Sequence, residues 1–542
     1  MRNVVLALLL AALPAFADDP GTLLPGLGDH HHPIATRSPD AQAFFDQGLR
    51  LCFAFNHEEA VHAFEHAASF DPTSPMPHWG TALALGPNIN MDVDPERERT
   101  AYAAIQKARA LLRHGSESDR AYVEALTLRY SDAPQPDLKA LAVAYKEAMG
   151  RLVARFPDDL DAATLYAEST MDLRPWNYWN ADGSPAEGTT ELLATLESVL
   201  RRDPTHPGAN HYYIHAVEAS PHPERALAIA ERLKDLAPGA GHLVHMPSHI
   251  YIRTGDFGAA ARANEQAVTA DQTYDARGGQ HPMYDLMYAN HNVHFLAASW
   301  ALAGRSADAT RAATELRKRA TGVLTSIPEL DPMMLPPLEA FVAAPTFTAL
   351  RFRRWDAILA EPEPDERLPM ARPIRHFARA LALTATGRRR DAAAEQAAFA
   401  AAREALPAGT GFGLNPGARV LDVAANVLDA RLATAAGDRT LAIAAWRRAV
   451  EAQDALSYDE PADWYYPVRE SLGGALLAAK QPADAEAVFR ADLARNPRNG
   501  RSLFGLSEAL RAQKRDADAA WVRRQFEAAW READGPLARE DL

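Results

Sequence analysis

Seven histidines in the middle of this chain repeat at fixed offsets. His211 and His245 are 34 residues apart, as are His215 and His249; His242 and His291, like His245 and His294, are 49 apart. The same offsets separate residues of other kinds. Pro204 and Pro238, and Ala226 and Ala260, differ by 34, while Gly255 and Gly304, and Ala260 and Ala309, differ by 49. The histidines therefore occupy equivalent slots of successive repeats. Three slots in three repeats make nine positions, which at 19 histidines in 542 residues hold about 0.3 histidine by composition, yet seven are filled.

Spacings of three and four residues place His242, His245 and His249 on one helix face, and His211, His215 and Glu218 on another. Neighbouring helices lie ~8–10 Å apart, so imidazoles from two of them can converge on one ion. Imidazole suits Zn, Cu, Fe and Ni, and no thiol stands nearby to favour a soft Cys site, so the expected cofactor is a transition metal ion: Zn, Cu or Fe. One repeat earlier, by the 47 residues between Pro157 and Pro204, the slot of His215 holds Glu168. Glu168 or Glu218 completes a mixed histidine and carboxylate site or orients a ring from behind. An open coordination position would let such a site activate water. The candidate metal residues are thus His211, His215, His245, His249, His242, His291, His294, Glu168 and Glu218.

Other constellations carry less. No HExxH zincin motif and no Gly-x-Ser-x-Gly nucleophile motif occurs, and Gly409–Gly417 lacks the Lys and Ser or Thr of a phosphate-binding loop. Cys52, the single cysteine, lies in an apolar stretch and reads as a small buried hydrophobe. His57 sits in the turn after Asn56 and His62 and His66 on a second helix expected to face outward, so these and His78 are expected to share no site. Two aromatic knots, at 175–179 and 463–467, read as loops packed on the repeats.

The elements that must position these residues are helices. Ala is abundant, β-branched runs are scarce, and Gly and Pro fall between apolar stretches. Gly48, Ala60, Phe64 and Pro72 recur as Gly473, Ala485, Phe489 and Pro497, each displaced by 425 residues. A small residue lets two helices approach, an aromatic fills the gap, and a proline ends the pair. Further units carry Gly387 with Ala392, Gly437 with Ala442 and Trp446, and Ala519. In this spacing the chain resembles the tetratricopeptide family, whose unit is a helix-turn-helix of about 34 residues. The resemblance implies an all-α, irregular solenoid of roughly nine or ten units, with the histidine-bearing face of the first helices lining a concave groove. Expected divisions are a mobile leader at 18–37, whose His30, His31 and His32 read as solvated in preference to loosely capturing metal, an N-terminal array at 38–318 with the histidine-rich groove, an irregular connecting region at 319–370, and a C-terminal array at 371–535.

Residues 1–17, with Arg2, an apolar run from Val4 to Leu13 and Ala15-Phe16-Ala17, read as a signal peptide, which points to a periplasmic or secreted protein. No later segment approaches ~20 apolar residues, so no membrane span is expected. With 57 basic against 71 acidic side chains, net −14, and no dense Lys/Arg stripe, nucleic acid is not an expected partner. The leading reading is an exported binding or scaffold protein of the cell envelope that holds a transition metal in its groove. The alternatives are a metal-dependent oxidoreductase or hydrolase using the same residues, and a metal-free scaffold binding a peptide or protein in the groove.

Overall fold

The computed structural model describes residues 22–91, 95–277, 282–326 and 332–542; the expected signal peptide lies outside them. Apart from a two-residue-per-strand hairpin, Gly411–Phe412 with Asn415–Pro416, the described residues form an all-α solenoid of antiparallel helix pairs. The tetratricopeptide spacing acts physically as expected. A Cβ on Gly48 or Gly80 would lie 2.6 or 2.4 Å from the Phe64 ring, and one on Gly473 or Gly505 would lie 2.3 or 2.2 Å from Phe489. In each unit one ring therefore fills the space that two glycines leave between three helices.

Residues 319–370 are less irregular than the sequence suggests. They contain the helix Leu335–Arg351 and the short helix Trp355–Leu359, which pack as a pair and continue the array. The stretch Pro332–Arg351 has the length and apolarity of a membrane crossing, which the sequence reading did not expect; 61% of its most apolar window is buried within the fold. Its Arg351 guanidinium lies 3.3 Å from the buried Glu470 carboxylate, a pairing that belongs to a core helix.

The solenoid curls so that its last units meet its middle. Ala307 N donates to Asp534 at 2.9 Å, and Arg262 pairs with Glu532 at 3.1 Å. A Cβ on Gly255 would lie 1.9 Å from the Pro497 carbonyl. This closure brings the loop before residue 463 onto the helices that carry the histidines.

Residues 22–37 are docked, which corrects the expectation of a mobile, solvated leader. Gly239 N donates to Gly26 O at 2.8 Å, and Arg50 Nε to His30 O at 2.7 Å. His30, His32 and His206 all meet the Asp161 carboxylate, at 2.9, 2.8 and 3.1 Å. His206 Nδ1 already accepts from Ala209 N, capping the next helix, so its Nε2 carries the proton and donates to Asp161. These imidazoles are satisfied as donors to one carboxylate, and what they hold is the leader. Burial opposes charge on His32, but the Asp161 hydrogen bond and charge lift its pKa above the ordinary value. Burial likewise opposes ionisation of Asp161, yet the hydrogen bonds from His206, His30 and His32 hold it well below the usual carboxylate range.

A raised histidine stabilises fully below its unfolded pKa of ~6.5 and loses that contribution as pH rises; a depressed aspartate stabilises above ~3.9 and loses it as pH falls. Protection of residues 22–37 against hydrogen exchange is therefore expected to be greatest between about pH 4 and 6.5. Asp161→Ala leaves three imidazole donors without their acceptor, at ~1–3 kcal/mol for each that stays buried, and should expose this segment while the helix pairs keep their protection. A leader equally protected in the variant would contradict the assignment.

Candidate metal centre

Three helical segments build the histidine cluster. Pro207–Glu218 starts with Pro207 in its first turn, where the missing N–H costs nothing, and carries His211 and His215 one turn apart. Gly241–His245 and Pro247–Thr254 form a helix interrupted at Met246-Pro247, which still sets His242, His245 and His249 on one face. A turn of π-helix, Asp285–Ala289, precedes Asn290–Leu302 and sets the register that brings His291 inward. Gly241 is required beside Asp271, since a Cβ there would lie 1.8 Å from Asp271 Oδ1. Asp271 accepts from Tyr284 Oη at 2.9 Å and Asn292 Nδ2 at 2.8 Å, and Tyr284 Oη accepts from His242 N at 3.2 Å. One buried carboxylate thus ties the backbone of His242 to the helix of His291.

The ring nitrogens divide into outer atoms that are used up and inner atoms that face each other. His211 Nδ1 lies 2.6 Å from the Phe53 carbonyl, which can only accept, so that nitrogen donates. His215 Nδ1 donates to Glu218 Oε1 at 2.8 Å, and His249 Nδ1 donates to Glu218 Oε2. His245 Nδ1 lies 2.7 Å from Asn264 Oδ1, and that amide is fixed by its own donation from Nδ2 to Ala260 O at 2.8 Å. With every Nδ1 a donor, each neutral ring presents a bare lone pair at Nε2. Yet His211 Nε2 and His215 Nε2 are 3.1 Å apart, and His245 Nε2 and His249 Nε2 are 2.7 Å apart. Two lone pairs at that distance repel unless a cation lies against both. Two nitrogens on one tetrahedral zinc, at ~2.0–2.1 Å each, are roughly 3.3 Å apart.

The two gaps differ in how readily they take a proton. Burial and neighbouring imidazoles hold His211 well below the ordinary histidine pKa, and burial holds His215 down despite Glu218. At the second pair burial opposes charge on His249, but Glu218 overrides it and raises the ring. Burial alone would push Glu218 up; the two imidazoles bring its carboxyl down to about 2. His242 adds a third imidazole whose two ring nitrogens have no hydrogen-bond partner among the described residues although the residue is only 2% exposed. Its free nitrogen falls within 4.8 Å of ligand nitrogens of His211 and His215, and His291 stands in the same relation to His245 and His249.

Among the sequence candidates, His211, His215, His242, His245, His249, His291 and Glu218 come together. His294 does not: its ring meets Phe341 edge-on at 5.5 Å, and burial pushes its pKa down to about 4. Glu168 does not either. It is buried beside Asp172 and Arg129, with its carboxyl raised well above the usual range by burial and Asp172. The expected open groove is filled at this point, since five of the six histidines are buried and only His291 is half-buried.

Several residues of the centre went unread in the sequence. Phe55 takes a left-handed backbone, φ 58°, which sets its ring 4.4 Å from His211 and 5.4 Å from His242. Trp176, with φ 64°, meets His215 edge-on at 5.3 Å, so one aromatic knot packs on the centre itself. The turn before the second helix is left-handed in other repeats too, at Gly255, Arg353, Lys480 and Lys514, so at Phe55 the repeat's own turn aims the ring. Tyr458, from the far end of the solenoid, places its hydroxyl 3.4 Å from Glu218 Oε2 and donates to Glu460. The second knot stays a packing element, with Trp464 buried against Phe347 and Phe377. His62 and His66 lie on the outer helix His57–Phe70, away from the cluster.

No protein-family profile matches the chain, and a search of curated proteins returned no match. Among solved structures, a human IFIT1 dimer with m7Gppp-AAAA aligns over 92% of this chain and 91% of its own at 13% identity and a TM-score of 0.33. The tetratricopeptide domain of P58(IPK) covers 88% and 99% at 12% identity and 0.22, and the Cut9-Hcn1 tetramer 92% and 95% at 10% and 0.28. At such scores, what those proteins bind says nothing of what this chain binds.

The orphaned ring of His242 gives a direct check. In chelator-stripped protein, His242→Leu removes a buried polar group that has no partner and should stabilise by about 1 kcal/mol in thermal or denaturant unfolding. In metal-loaded protein the same substitution should destabilise. Destabilisation of similar size in both states would mean the ring serves packing alone.

Proposed function

We propose that this protein is a metal-binding member of the helical-repeat class: a tetratricopeptide-type scaffold of the cell envelope that holds a transition metal in a buried histidine cluster. The observation that carries this is the pair of facing Nε2 atoms on His211 and His215, 3.1 Å apart, whose outer nitrogens are both committed as donors. Zinc, copper and iron, the ions expected from the sequence, all accept an imidazole set of this kind. Glu218 supports the ring orientation from behind, as carboxylates do in zinc–histidine sites. A metal-free peptide groove fits less well, because a peptide needs reachable side chains and these imidazoles are enclosed. The export part of the reading rests on the signal-like residues 1–17 alone.

The test is elemental analysis of the untagged protein purified without chelator, beside a His215→Ala/His249→Ala variant. Near-stoichiometric metal in the wild type, lost in the variant with helicity retained by circular dichroism, is the expected result. No metal in either sample, even after Zn(II) or Cu(II) is added, would overturn the reading.

A further inference from the structure

The repeat that places the histidines also divides them. Advance each member of the group His211, His215 and His242 by one repeat, 34 residues for the first two and 49 for the third, and the result is His245, His249 and His291. These are the two sets of three imidazoles whose ligand nitrogens lie within 4.8 Å of one another. Each set takes two rings one turn apart on a first helix, plus one ring from the first helix of the following repeat.

The same arithmetic says where the series stops. One repeat back, the three slots hold Thr164, Glu168 and Gly208, which offer no imidazole. One repeat forward, His245 maps to His294 and His249 to Ala298, so a third set lacks its second ring. The two candidates outside the cluster, Glu168 and His294, are the ones the series leaves incomplete.

Resting on the proposed metal-binding function, we propose that the cluster is two sites rather than one. Each binds a single divalent cation that prefers nitrogen ligands: the first on His211, His215 and His242, the second on His245, His249 and His291. Glu218 joins them from outside both coordination spheres, with Oε1 on His215 Nδ1 and Oε2 on His249 Nδ1. The facing Nε2 pair at 3.1 Å then has an ion against both atoms, the pair at 2.7 Å opens toward the ~3.3 Å of two nitrogens on one tetrahedral zinc to take an ion in place of a shared proton, and His242, whose ring nitrogens have no hydrogen-bond partner among the described residues, becomes a ligand. Three protein ligands leave one coordination position open on each ion, the arrangement of reactive rather than purely structural sites.

The experiment loads the stripped full-length chain with Zn(II), and separately Co(II), removes free metal by desalting, and counts ions per chain. Two ions are expected in the wild type, one in His242→Leu, one in His291→Leu, and none held tightly when both are replaced. Circular dichroism monitors folding, and the wild-type count stands by itself should a variant misfold. A single ion in the wild type, or loss of all metal from either single variant in a folded state, would overturn the two-site proposal while leaving the metal-binding function intact. No ion in the wild type would overturn both.

Discussion

The arrangement around the histidine cluster follows from one constraint: an imidazole has two nitrogens, and committing one as a donor leaves the other as a lone pair. A carbonyl, a fixed amide and a shared carboxylate each take an Nδ1 proton, at His211, His245 and the pair His215 and His249. The four Nε2 atoms then face each other in two pairs in a buried interior where like polarity is costly. The fold holds these rings in place with the packed rings of Phe55 and Trp176, and with the Asp271, Tyr284 and His242 chain. The arrangement makes physical sense when positive charge fills the gaps.

The contrast with the second histidine cluster shows that residue type alone does not decide. His30, His32 and His206 surround Asp161 as closely as the other rings surround Glu218. There, however, the hydrogen bonds run from ring nitrogens to the carboxylate rather than leaving two ring nitrogens directly opposed. Those bonds fasten the leader across the first repeats. A shared residue composition thus fastens a segment at one place and leaves facing ring nitrogens at the other.

Much of the fold was legible because a repeat protein writes the same instruction many times. The glycine and phenylalanine ladder predicts which helices touch, and the rings of Phe64 and Phe489 fill the gaps as expected. The core ligands were legible for the same reason, since 34- and 49-residue offsets carry a slot from one helix to the next. Offsets name slots but not neighbours, so Glu168 and His294 looked equivalent to residues whose surroundings they do not share. The residues that complete the centre come from far away in sequence: Phe53 and Phe55 from the first turn, Tyr458 from near the other end. Tyr458 reaches it because the last units fold back onto the middle, Phe53 and Phe55 because the first helix packs against Pro207–Glu218, and no periodicity records either. The leader was misread because Pro and Gly with three histidines look solvated until a buried aspartate is found opposite them.

The most direct test of the central claim is anomalous diffraction from crystals of the protein, recorded above and below the absorption edge of the ion it carries. The account expects anomalous peaks within coordinating distance of the Nε2 atoms of His211 and His215, and of His245 and His249, with Glu218 outside bonding range of either ion. Rings hydrogen-bonded to one another without an anomalous peak, or metal only at surface carboxylates, would contradict it.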